Sequence, residues 1–250
     1  MCQDAAVPPS SILDAPDLSA LPAERLEDMH DAAATVLQCE AALAKSGMSV
    51  VSEVLRGQGD FLVWERYPRG DVFDTETHSQ YFYHAHAPEE MAKGENGHFH
   101  LFVRPAGLAP DLRPWALDGA VVADDPAARF IHIGAISVDA HGQPIRLFTT
   151  NRWVTNETLF AARDVIPLLD RFTIGVAHPN WAVSQWLTSM VRLYHPQFAG
   201  LLRLRDAVLR DRAARQPGTA VSEDRTLQNT SEFRLDRAAQ IAAIEEALGI

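Results

Sequence analysis

Apolar residues recur at helical spacing from Leu21 to about Ser46, where Leu26, Met29, Ala33, Val36, Leu37 and Ala41 share one face. Pro22 suits a first helical turn, Glu24, Glu27 and Asp28 complement the helix N-terminus, and Gly47 follows the end. From about Asp60 to Thr155 the period drops to two. Phe61–Tyr67, Gln80–Ala87, His98–Arg104, Phe130–Val138 and Pro144–Val154 read as strands, bounded by turn clusters such as Pro68-Arg69-Gly70-Asp71 and Ala140-His141-Gly142-Gln143. Between Pro105 and Arg129, four prolines and several Asp mark a long irregular connection. After Thr155 the helical period returns in Glu157–Phe172, Trp181–Tyr194, Gln197–Arg215 and Ser231–Leu248, with Asn156 and Asn180 as cap candidates and a surface loop from Pro217-Gly218. The pattern predicts an α+β chain. An antiparallel sheet of about five strands (about 60–155) is flanked by an N-terminal helix and a C-terminal helical region (about 156–250), with the helices on one sheet face. Residues 21–250 then form a single domain, and residues 1–20, rich in Ala, Pro, Ser and Asp, a flexible leader.

At 250 residues and 47% hydrophobic, the chain is large enough for a sizeable core. Its net charge of -11 argues against nucleic acid as a partner, because phosphate contacts need a basic surface. No apolar run approaches the length of a membrane span. Cys2 and Cys39 make neither a disulfide framework nor a metal knuckle. The N-terminus lacks a basic region followed by an apolar stretch, so the default compartment is a reducing cytoplasm. The acidity is uneven: residues 1–150 hold 10 basic against 22 acidic side chains, whereas residues 151–250 hold 12 against 11. Excess negative charge in the first part favours a cation there, or simply solubility.

The chemistry of the chain concentrates in its histidines. Of ten, five fall between His78 and His100. By alternation Phe82, His84 and His86 share one strand face, and His98, His100 and Phe102 share a face of the next. Ala87–Gly97 is turn-rich, so the two strands pair as a hairpin, with His86 expected near His98 and His84 near His100. Four imidazoles crowded on one patch repel if protonated, and each needs partners for both nitrogens if neutral. A divalent transition metal answers both demands. His84, His86, His98 and His100 form the ligand pool, with Glu90, Glu95 or His132 as alternates for one of them. Zinc, iron and copper all accept imidazole, and the sequence does not choose among them. A nucleotidyl-transferring histidine triad needs a third histidine where this chain has Phe102.

Two family resemblances attach to these residues. His84-Ala-His86, Glu90 and Gly97 have the spacing HxHx3Ex6G, which resembles the first motif of the cupin superfamily. That resemblance implies a metal held by two histidines and a glutamate inside a β-barrel, with one more histidine from a later strand. His132 is the strand-borne candidate. The glycine usual six positions before the first histidine is His78 here, and the PxG that precedes the last histidine is missing. The segments Thr77–His86, Glu95–Phe102 and Arg146–Thr155 are together similar to a bacterial family catalogued as a domain of unknown function. That similarity covers most of the chain and implies a shared fold without an activity.

Other residues extend the candidate site. Glu65, on the strand Phe61–Tyr67, is either a base or a solvated carboxylate, and Glu95 is a loop acid near the cluster. Arg146, Phe148, Thr150 and Arg152 alternate along the last strand. The two arginines either bind a carboxylate or phosphate of a ligand or are structural, paired with acidic neighbours. The basic helix carrying Arg203, Arg205, Arg210, Arg212 and Arg215 is interleaved with Asp206 and Asp211 and reads as a solvated face. Three functions fit these features. The first is a metalloprotein, in the main a metalloenzyme of hydrolytic or oxygen-dependent chemistry acting on a small molecule. The second is a non-catalytic small-molecule or haem-binding module lined by His, Arg146 and Arg152. The third is a metal-free enzyme using a histidine acid–base pair.

Overall fold

The computed structural model describes residues 11–117 and 122–250. It is α+β, as the patterning predicts, with six antiparallel strands instead of about five: β1 (Tyr67–Phe73), β2 (Ser79–His84), β3 (Gly97–Val103), β4 (Ile131–Val138), β5 (Pro144–Thr150) and β6 (Asn229–Arg234). They pair in chain order, so β1 and β6 are edges of an open sheet. The barrel that a cupin requires is therefore not formed. The helices are α1 (Ala23–Ala44), α2 (Val50–Leu55), α3 (Pro105–Leu108), α4 (Arg152–Thr155), α5 (Ala162–Leu169), α6 (Trp181–Leu193), α7 (His195–Arg215) and α8 (Arg237–Leu248). None is long and apolar enough to cross a membrane.

Strand alternation sorts the sheet into two unlike faces. On one, Tyr81, Tyr83, Phe99, Leu101, Val103, Ile136 and Leu147 join the main core with Met29 and Val36 of α1, Trp186 of α6 and Phe198 of α7. The opposite face carries Phe82, His84, His98, His100, Phe102 and Phe148, whose rings stack and tilt against one another. In β4 the register slips at the pairs Leu101↔Gly134 and Phe102↔His132, which leaves Ile133 as an extra residue. This bulge reverses the facing of everything before it. Strict alternation would put His132 with Gly134 and Ile136 against the helices. The bulge brings it over to His100 and Phe102, at ring-centroid distances of 4.9 and 5.2 Å. Gly134 sits at this point because a Cβ there would come within 2.7 Å of the Phe198 ring.

Several boundaries differ from the sequence reading, each for a physical reason. The strand expected at Phe61–Tyr67 does not form. Phe61, Leu62, Val63 and Trp64 are exposed, and β1 instead runs through the expected turn at Pro68–Asp71 with an irregular register. The last strand stops at Thr150. Asn151 caps α4, which takes Arg152 out of the alternation with Arg146. Residues 157–161 are buried but not helical, and only Ala162–Leu169 of that expected helix forms. The expected helix Ser231–Leu248 begins as β6, whose polar Thr230 and Ser231 are buried by hydroxyl contacts with Thr149. Of the expected leader, residues 1–10 lie outside the described residues. Residues 11–20 are not loose: the Leu13 N–H donates to the Glu232 carbonyl at 2.8 Å, and Leu18 is buried in the core. Arg205 and Asp206 on α7 are buried as a pair rather than solvated, bonding to the Phe160 carbonyl and the Ala162 N–H.

Candidate metal centre

The hairpin of β2 and β3 sets the histidines. Its register pairs His84 with His98 and Phe82 with His100, two residues away from the expected pairing, while the parity that puts all four rings on one face holds. His86 lies just past the end of β2. There its ring stacks on the Trp64 indole at 4.1 Å, and its N–H donates to the Met91 sulfur. Gly97 at the start of β3 allows this close pairing, because a Cβ would collide with the Tyr83 hydroxyl and the His84 carbonyl.

His84, His86 and His98 each offer a ring nitrogen, and these three atoms lie within 4.8 Å of one another. The His84 and His98 Nε2 atoms are 2.7 Å apart. Ligand nitrogens around a tetrahedral zinc are separated by about 3.4 Å, so small ring rotations suffice to receive an ion. On the far side of its ring, His98 Nδ1 lies 2.5 Å from Glu95 Oε1, which leaves Nε2 as the lone-pair nitrogen facing His84. Glu95 is held in turn: Arg146 Nη2 donates to its Oε2 at 2.8 Å, and Arg146 Nη1 reaches Glu232 of β6 at 3.0 Å. A carboxylate that fixes the tautomer and tilt of a histidine is the usual support behind a ligating imidazole.

Electrostatics favours neutral rings. Burial, reinforced by His98 and His86, pushes the His84 pKa down to about 2. Burial lowers His98 and His100 well below the ordinary histidine range, each with help from a neighbouring imidazole. Burial likewise raises Glu95, against the opposing pull of Arg146. Neutral imidazole is the form that binds a cation.

His100 lies outside the group of three. Its ring centroid is 4.8 Å from that of His98, but its Nδ1 is 3.0 Å from His132 Nε2. His132, whose pKa burial pushes down to about 3, continues to the Thr150 hydroxyl at 3.3 Å. Its backbone N–H donates to Glu157 at 2.8 Å. Glu157, the first residue of an expected helix and not among the sequence candidates, is buried, and burial raises its pKa to about 7. Glu90 ends a 3-10 turn in the hairpin loop. Its Oε2 is buried without a hydrogen-bond partner among the described residues. With His86, His98, His100, Arg146 and Phe148 it lines a cavity of about 40 Å³.

The remaining candidates sit elsewhere. Glu65 is exposed in the turn before β1 and is not among the residues of that cavity. Arg152 pairs with Glu223 and with the Asn156 side chain. Asn156, expected to cap the following helix, instead ends α4 in the left-handed conformation. Both guanidinium groups are paired with carboxylates, Arg146 with Glu95 and Glu232 and Arg152 with Glu223.

No curated protein and no solved structure matches the chain. A family model does match, over residues 30–235, which takes in the histidine hairpin, all six strands and most of the helical region. The resemblance carried by the His84, His98 and Arg146 segments is thereby borne out, and the chain belongs to the family described as Domain of unknown function (DUF6969).

Proposed function

We propose that the chain is a metalloenzyme acting on a small molecule, with His84, His86 and His98 as ligands. The convergence of three imidazole nitrogens on one point, one of them backed by Glu95, carries this reading. Three protein ligands leave a position open, as in catalytic rather than structural sites. A divalent ion held there supplies Lewis acidity and lowers the pKa of water. Glu90 stands as the proton acceptor, because its Oε2 is buried in the cavity wall without a hydrogen-bond partner among the described residues. Glu95 cannot take that part while it is bound to both His98 and Arg146. This arrangement favours hydrolysis. Iron or copper on the same nitrogens instead suits oxygen-dependent chemistry, and the metal recovered separates the two.

The test is elemental analysis of protein purified after expression with zinc, iron or copper. About one equivalent of a single metal is expected in the native chain, falling below about a tenth in His84→Ala and His98→Ala. A native chain that retains less than about a tenth under all supplements would sink the proposal. His132→Ala should keep its metal, because that ring lies outside the group.

A further inference from the structure

Beside the metal cavity lies a second cleft of about 420 Å³. One side of it is apolar, built from Phe61, Val63, Ala85, Pro88, Met91 and Ala92, and the other carries His86, Lys93, Glu95 and Asn96. The two spaces share His86, Met91, Ala92 and Glu95, so the cleft opens against the edge of the histidine group. Phe61 and Val63 reach it from the run Phe61-Leu62-Val63-Trp64, whose residues are 43, 54, 43 and 55% exposed. Four consecutive exposed apolar residues are a liability unless they meet something.

This run is not a loose loop. The Leu62 N–H donates to the Tyr67 hydroxyl at 2.7 Å, the Trp64 N–H donates to the Ala85 carbonyl at 2.8 Å, and Phe61 stacks on Tyr67 at 5.3 Å. Trp64 adopts a positive φ of 70°, a conformation that a bulky residue takes only when its surroundings impose it. Here the stack on His86 does so. The segment that stacks on His86 through Trp64 thus also brings Phe61 and Val63 to the cleft beside it.

We propose that this cleft seats the apolar part of the substrate, an aryl or branched alkyl group, with the substrate's polar reacting end at His86. The inference rests on the three-histidine metal reading and narrows it to a substrate class. The lining argues against sugars and phosphates. Lys93 is the one Lys or Arg of its lining, Glu95 is turned toward His98 and Arg146, and the Asn96 amide donates to the Tyr83 hydroxyl, so few side-chain groups are left for such ligands.

The experiment compares benzohydroxamate with acetohydroxamate on the full chain loaded with zinc, by calorimetric titration, with metal content measured on each sample. Both probes bind a metal through the same group, and only the first has a ring to place in the cleft. Benzohydroxamate should bind at least about tenfold more tightly. Phe61→Ser and Val63→Ser, tested separately, should each reduce that preference to about threefold or less. Their metal content and acetohydroxamate affinity should stay at native values, which also shows that the variants fold. Equal affinities on metal-loaded native protein would overturn the cleft assignment alone, as would a preference that survives both substitutions. Protein that holds no zinc and binds neither probe would overturn the metal reading, and the cleft assignment with it.

Discussion

Glu95 does more for the candidate centre than its place in a loop suggests. It lies three residues before His98, a spacing that places its carboxylate beside the imidazole once the chain turns into β3. The charge matters as much as the position, because an anion behind the ring raises the basicity of the nitrogen in front. Glu95→Gln keeps the shape and one acceptor but loses the charge. Metal affinity in that variant should fall by about 10- to 100-fold, as measured by competition with a chelator. An unchanged affinity would make Glu95 only a partner for Arg146. At this scale the phase of the four histidines was legible, because period two is a property of the strand itself. Which of them converge was not. His86 leaves the strand and His100 turns to His132, and both depend on the length of the hairpin loop and on a bulge in another strand.

Among the elements, β4 shows how one extra residue decides which chemistry shares a face. Its bulge moves His132 to the imidazole side, and Gly134 lets α7 press Phe198 onto the strand at that place. Gly134→Ala should destabilise the chain by about 1 to 3 kcal/mol, since the ring has no room to retreat within a full core. Urea unfolding measures this directly, and a loss under about 0.5 kcal/mol would show the contact to be soft. Elements with clear periodicity were readable, as α1 and α6 show. β6 was not, because Asn229–Arg234 buries Thr230 and Ser231 through hydroxyl contacts and so carries no alternation of apolar residues. Phe61–Val63 failed in the opposite way. Its apolar residues look like a strand but face outward, where burial no longer explains them.

For the molecule as a whole, buried titratable groups couple stability to pH in two opposing senses. His84 and His132, held near 2 and 3 against an ordinary 6.5, refuse protons that the unfolded chain accepts. Metal-free protein should therefore lose stability as pH falls below 6.5 and keep losing it toward 3. Glu157 acts the other way. Raised to about 7 from an ordinary 4.5, its contribution is whole below 4.5 and is lost as pH rises through about 7. Glu157→Gln removes that loss. The thermal stability of the variant relative to the native chain should rise between pH 5 and pH 8, by an amount equivalent to about 3 kcal/mol. A constant difference across that range would mean that Glu157 stays ionised in the fold. The fold class was legible at this scale, and so was the excess of acidity in the part that holds the histidines. The buried Arg205–Asp206 pair was hidden, because alternating charges on a helix look the same whether they face water or a partner.

The contact between Arg146 and Glu232 has a consequence for the order in which the protein is made. Glu95, which aims His98, leans on Arg146, and Arg146 leans on a strand that leaves the ribosome more than eighty residues after it. While β6 is still unmade, the histidine hairpin has its ligands but lacks the far end of the brace behind them. On the metal reading proposed above, a nascent chain in that condition would hold an ion loosely. The centre would reach its full grip only once β6 has closed the edge of the sheet, which would defer ion selection to the nearly finished protein.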